Sequence, residues 1–132
     1  MIFVDASAIV AMLTEEADGD ELAERLAKYP KGVTSAIAIY EAAVAIARRR
    51  SWAIDEAAKL VDGFVALARI EIVPIGAAEA RAAVEAFDRF GKGRHPAKLN
   101  MGDCFAYACA KAHGLPLLFK GDDFAKTDVE AA

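Results

Sequence analysis

Two rhythms of apolar residues alternate along this chain. Short runs at residues 2–4, 31–34, 71–74 and 115–119 read as strands; the first, Ile2-Phe3-Val4, is wholly apolar, as a strand buried on both sides is. Between them, apolar residues recur at three- and four-residue spacing, the helical period. That spacing predicts helices over residues 6–13, 20–29, 36–50, 55–68, 77–90 and 101–113. Pro30 follows the second helix, Ser35 and Asn100 are natural N-caps, and Gly114 is placed as a C-cap. Pro74 stops its strand or puts it at an edge. Strands separated by helices imply a parallel sheet with helices on both faces. The expected fold is therefore a three-layer α/β/α sandwich around four to five short parallel strands. With no repeat, linker or shift of composition, residues 1–132 read as one domain, and residues 126–132 as a loosely held tail.

Composition narrows the class. Of the residues, 56% are hydrophobic, much of this alanine, and uncharged runs such as 6–14 and 32–40 stop at nine. A membrane-crossing helix needs about 18–20 such residues. The N-terminus has no cationic segment ahead of its apolar run, so no secretory signal is expected, and the chain reads as soluble and cytoplasmic. Cys104 and Cys109 lie five apart in one predicted helix, on different faces, which points to buried thiols rather than a disulfide. Net charge is −4, from 16 basic and 20 acidic residues, which disfavours a non-specific nucleic-acid binder. The distribution is uneven: Arg48-Arg49-Arg50 and the stretch from Lys92 to Lys98 are basic, whereas Glu15 to Glu24 is acidic.

Most acids sit on polar helix faces, but a few do not. Asp5 ends the first strand, where ligands bind in open α/β sheets, although it is equally placed to cap the next helix. Glu41 is the only charged residue in the twelve-residue run 36–47. Its helical neighbours are Ile37, Ala38, Val44 and Ala45, so its charge needs a cation or a partner such as Arg48. Asp103 opens a helix behind Asn100 and Gly102, either as a capping acid or as a ligand with space cleared beside it. Asp122 and Asp123 follow the last strand, where Gly-Asp-Asp is also ordinary turn chemistry. In a parallel sheet these positions can converge at one edge. Two unneutralised carboxylates about 5 Å apart would cost roughly 3–4 kcal/mol, so such a cluster protonates or holds a hard cation. Oxygen-only ligands select Mg²⁺ or Mn²⁺.

At these residues the chain resembles a PIN domain, and more narrowly the VapC ribonuclease toxins of toxin–antitoxin pairs. Ile2-Phe3-Val4-Asp5-Ala6-Ser7-Ala8 is similar to the first motif of that family, and Thr34-Ser35-Ala36 through Tyr40-Glu41 to the second. The stretch from Gly93 through Asn100-Met101-Gly102-Asp103 to Ala108 is the most specific match, and Leu117 through Asp122-Asp123-Phe124 to Val129 resembles the closing motif. The resemblance implies metal-assisted hydrolysis of RNA, with Asp5, Glu41, Asp103 and Asp122 as catalytic and metal-binding acids around Mg²⁺ or Mn²⁺. Ser7 and Asp123 would support them. The family's threonine or asparagine before the last acid is here Lys120-Gly121, which leaves the choice between Asp122 and Asp123 open. Arg48, Arg94, Lys98 and Lys120, with Arg49 and Lys92, are candidate RNA phosphate contacts. The resemblance also implies a homodimer silenced by a VapB-like antitoxin, whose groove could be formed by Leu22, Leu26 and Tyr29 together with the helix over 36–47. His95 is expected in a loop and His113 at a helix C-terminus.

Two other classes compete. A phospho-acceptor receiver domain shares the alternating pattern and a lysine after a late strand, but needs an acceptor aspartate that neither Val33-Thr34 nor Ile72-Val73 supplies. A non-catalytic PIN-like RNA-binding module would not need every acid.

Overall fold

Ile2-Phe3-Val4 forms the buried centre from which the layers are built. In the computed structural model, which describes residues 1–132, the chain runs β1 (Ile2–Val4), α1 (Ala6–Leu13), α2 (Gly19–Ala27), β2 (Gly32–Ser35), α3 (Ala36–Arg50), α4 (Ile54–Leu67), β3 (Glu71–Val73), α5 (Ala77–Phe90), α6 (Met101–Ala112) and β4 (Leu117–Leu118), then a short 3₁₀ turn, Phe124–Lys126. The four strands are all parallel and lie in the order β3-β2-β1-β4.

Alternation along β1 separates two cores. Ile2 and Val4 pack with α1–α4 on one face, and Phe3 packs with Val33, Val73, Leu117 and the α5 and α6 side chains on the other. Both faces of β1 and β2 are covered, which is why their sequences show no polar alternation. The expected three-layer α/β/α sandwich is the observed fold, with four strands and six helices. Cys104 and Cys109 are buried and unpaired in α6, as their spacing implied, and burial pushes each thiol up to about 11. No helix is long and apolar enough to cross a membrane.

Element ends differ from the periodicity where local hydrogen bonds intervene. The second helix stops at Ala27, because the Lys28 and Tyr29 amides turn back to Arg25 and Leu26 ahead of Pro30. The last strand shrinks to two residues. The Leu115 amide closes α6 on the Ala110 carbonyl at 2.8 Å, and Pro116 has no amide to pair. The tail is not loose. The Leu117 amide donates to the Glu130 carbonyl at 2.8 Å, and the Ala132 amide to the Leu117 carbonyl at 3.0 Å. Residues 130–132 thereby cover the open edge of β4, an edge that would otherwise invite another strand. Asp128 anchors the approach through Tyr107, Arg89 and Lys111.

Candidate active site

β1 delivers Asp5 to the carboxyl edge of the sheet, where the chain must turn into α1. Asp5 is 3% exposed and caps that helix. Its Oδ2 accepts from the Ser7 amide at 3.0 Å and from the Ser7 hydroxyl at 2.6 Å. Both bonds fall on one oxygen, and Asp5 also lines a cleft at this edge of the sheet. The Asp103 carboxylate is engaged the same way. Its Oδ2 accepts from the Asn100 amide at 3.1 Å while its own amide donates to Asn100 Oδ1 at 2.9 Å, a reciprocal capping box. Capping and cleft-lining are thus not rival roles for either aspartate, since each residue does both.

Glu41 reaches the same cleft from the apolar face of α3, with no hydrogen bond or ion pair. Arg48, its sequence-suggested partner, lines the cleft without pairing to it. Gly102 explains how Glu41 fits. A Cβ at position 102 would overlap the Glu41 carboxylate, so the glycine makes room for Glu41 itself rather than for a ligand. It is the Glu41 side chain, reaching from α3 over the start of α6, that occupies the space a larger residue would take.

Asp5, Glu41 and Asp103 therefore line one cleft of about 620 Å³, with Ser7, Tyr40, Arg48, Arg49 and Lys120. Their acidities record the crowding. Burial first, then the Asp5 and Asp103 charges, push Glu41 up to about 7. Burial first, then Asp5 and Asp123 against a lowering Asn100 amide, push Asp103 up to about 6. Burial raises Asp5 as well, opposed by its bonds to Ser7. No lysine or arginine forms an ion pair with any of the three. Two of the three cations lining the cleft are engaged elsewhere: Glu16 pairs with both Arg49 and Lys120, and Lys120 also lies 3.1 Å from Asp18 Oδ1, while Arg48 pairs with no acid.

An all-oxygen donor set with no direct ion pair suits a hard dication. No three His, Cys, Asp or Glu side chains stand close enough to grip one ion as they lie. The three acids line the cleft without closing on one point, so Asp5, Glu41 and Asp103 would hold such an ion only with rearrangement or through water.

Other predicted positions fall elsewhere. Asp122 and Asp123 are exposed beyond the rim, and it is Asp123 whose charge Asp103 feels. Lys120 ties its loop to the site through its amide, which donates to Ser7 Oγ at 3.0 Å. Arg94 is not at the cleft: it pairs with Asp88 at 3.1 Å and lies 5.8 Å from the Phe87 ring centre. Lys92 and Lys98 do not line the cleft either. His95 is a loop residue whose Nδ1 accepts from the Ala97 amide at 3.0 Å, and His113 ends α6. Leu22 is buried in the core, whereas Leu26 and Tyr29 are only half-buried against it and line a separate hollow of about 270 Å³ with Ala23 and Ala27. Sequence reasoning passed over Tyr40 and Glu16. The signal for Tyr40 was its position beside Glu41; for Glu16, one acid among several in a polar break, there was none.

Comparison with known proteins identifies the family. Residues 2–130 match the PIN domain family. A ribonuclease VapC of Mycolicibacterium smegmatis is 42% identical over 128 residues, covering 97% of each chain. A VapC ribonuclease of Rhizobium meliloti is 43% identical over 141 residues, covering 98% of this chain and 99% of the relative. Among solved structures, Mycobacterium tuberculosis VapC20, a sarcin-ricin loop cleaving toxin, superposes with a TM-score of 0.79 at 20% identity, covering 100% of this chain and 98% of that one. A toxin–antitoxin complex from Klebsiella pneumoniae gives 0.72 at 20% identity, over 100% and 97% of the chains. At that identity the structural likeness speaks for the fold, while the sequence relatives carry the family. The chain belongs to the PIN domain family and, within it, to the VapC ribonuclease toxins.

Proposed function

We propose that this chain is a divalent-metal-dependent endoribonuclease whose cleft cuts RNA phosphodiester bonds, and that a cognate VapB-like antitoxin silences it. One observation carries the reading: Asp5, Glu41 and Asp103 share a cleft, burial makes all three harder to ionise, neighbouring carboxylates add to this for Glu41 and Asp103, and none is in an ion pair. Asp5, Glu41 and Asp103 would hold Mg²⁺ or Mn²⁺. The fourth carboxylate comes from the Asp122-Asp123 pair, and the charge that Asp123 exerts on Asp103 supports Asp123 in that role.

When bound, the ion supplies an activated water and neutralises charge on the phosphodiester. The chain does the rest. Ser7 holds one oxygen of Asp5, and the Asn100 amide holds one of Asp103, so both carboxylates keep fixed directions. Gly102 lets Glu41 sit beside them. Arg48, Arg49 and Lys120 face an incoming phosphate from the rim, offsetting the negative cleft. Neither histidine lines the cleft, so proton traffic there falls to carboxylates and water. A homodimer is the assembly we propose, by analogy with the family.

Cleavage of RNA by the purified chain should require Mg²⁺ or Mn²⁺ and vanish in Asp5→Asn and Asp103→Asn. Activity that persists in excess EDTA, or in both variants, would sink the proposal. RNA binding without cleavage would leave the non-catalytic module in its place.

A further inference from the structure

Tyr40 is 67% exposed although it lies beside Glu41 in the wall of the cleft. It belongs to neither core cluster, and its hydroxyl has no hydrogen-bond partner. Nothing in the packing of α3 asks for an aromatic ring there, and straight-chain polar residues make better helix surface.

Its surroundings supply a reason. The cleft-facing stripe of α3 is Tyr40, Glu41, Val44, Ala45, Arg48 and Arg49, a one-sided pattern with helical spacing. The aromatic ring stands at one end and the guanidinium groups at the other, about 12 Å apart along the axis at 1.5 Å per residue. Val44 and Ala45 between them are small and leave a trough. The carboxylates stand towards the Tyr40 end of it. A polynucleotide strand laid in that trough would put phosphate at the arginines, phosphate at the acids, and a base against Tyr40. Stacking on an aromatic face is how proteins commonly hold unpaired bases, and it tolerates any sequence because every base has such a face.

We infer that Tyr40 is a substrate-binding residue whose ring stacks on a base adjacent to the phosphodiester that is cut. This inference rests on the ribonuclease proposal, and its test separates the two. The probe is a single-stranded oligoribonucleotide of mixed sequence in which the wild-type cut has been mapped, together with copies made abasic at each position flanking that cut. Tyr40→Ala should raise KM on the intact probe about 5- to 150-fold, the range of single-base stacking losses, and change kcat much less. Tyr40→Phe and Tyr40→Trp, which keep a ring, should stay near wild type. On one abasic copy the wild type should lose the same factor, and Tyr40→Ala should cost almost nothing more.

Equal KM for Tyr40→Ala and wild type would overturn the inference while leaving the ribonuclease intact. So would a penalty that persists unchanged on every abasic copy, since the ring would then be acting on the backbone or the fold. A Tyr40→Ala variant altered only in oligomeric state would assign the ring to a protein interface instead. Failure of the wild type to cut RNA with Mg²⁺ would overturn the ribonuclease proposal and this inference with it.

Discussion

Replacing Glu41 with glutamine keeps the size of the side chain and removes its charge, and with it both the burial penalty and the repulsion by Asp5 and Asp103. Burial and the neighbouring aspartates raise this carboxyl from 4.5 to about 7. A carboxyl that is harder to ionise folded than unfolded stabilises the fold fully only below its unfolded value, near 4.5, and loses that contribution as pH rises through about 7. In a fully enclosed site the displacement would amount to about 3 kcal/mol. Glu41 is only half-buried, and solvent screening reduces the figure to about 1–2 kcal/mol. In EDTA at pH 8 the Glu41→Gln protein should therefore melt about 3–8 °C above wild type. The gain should shrink as pH falls and vanish near pH 4, where both side chains are neutral. Excess Mg²⁺ should close the gap at pH 8 by stabilising the ionised wild type. RNA cleavage by the variant should be lost throughout, making it more stable and inactive. A variant that melts at or below wild type in EDTA at pH 8, or a gain independent of pH, would refute the unfavourable charge at Glu41 and the cation requirement drawn from it.

Two further outcomes test how the acids are held. Gly102→Ala puts a methyl group where the Glu41 carboxylate lies; because the far end of a flexible side chain can yield, the melting temperature should move by only a few degrees while cleavage falls at least tenfold, and unchanged activity would show that Glu41 need not sit there. Ser7→Ala removes the 2.6 Å hydrogen bond to Asp5 Oδ2 and the acceptor of the Lys120 amide; Mn²⁺ affinity, read by calorimetry, should drop about 10- to 100-fold, and an unaltered affinity would show that Asp5 needs no such support.

The residues that were legible in the sequence share a property: their chemistry conflicts with their surroundings. Glu41 is a charge in an apolar run, and Asp5 is an acid where a buried strand must end; no fold comparison is needed to see either as unusual. The caps at Ser35 and Asn100 were legible because capping is a local interaction, and the structure has both, with Ser35 Oγ accepting from the Ala38 amide at 3.2 Å. What escaped depends on which distant segments meet. Gly102 was rightly marked as a close approach, but only the crossing of α3 over α6 reveals that the visitor is Glu41. The pairing of Glu16 with Arg49 and Lys120 joins three segments far apart in the chain, and no periodicity announces it. Arg94 looked like a cleft residue because it precedes Asp103 closely in sequence; the loop through Pro96 carries it instead to Asp88. The tail over residues 126–132 has weak strand character, and its order comes from the unpaired edge of β4.

The most direct test of the central claim, that Asp5, Glu41 and Asp103 gather around a divalent ion, is a crystal of the wild-type protein soaked in Mn²⁺ and measured at the manganese absorption edge. An anomalous peak within coordination distance of Asp5 and Asp103, absent from an Asp5→Asn crystal treated identically, is the expected result. A peak elsewhere, or no peak in the cleft at saturating Mn²⁺, would contradict it.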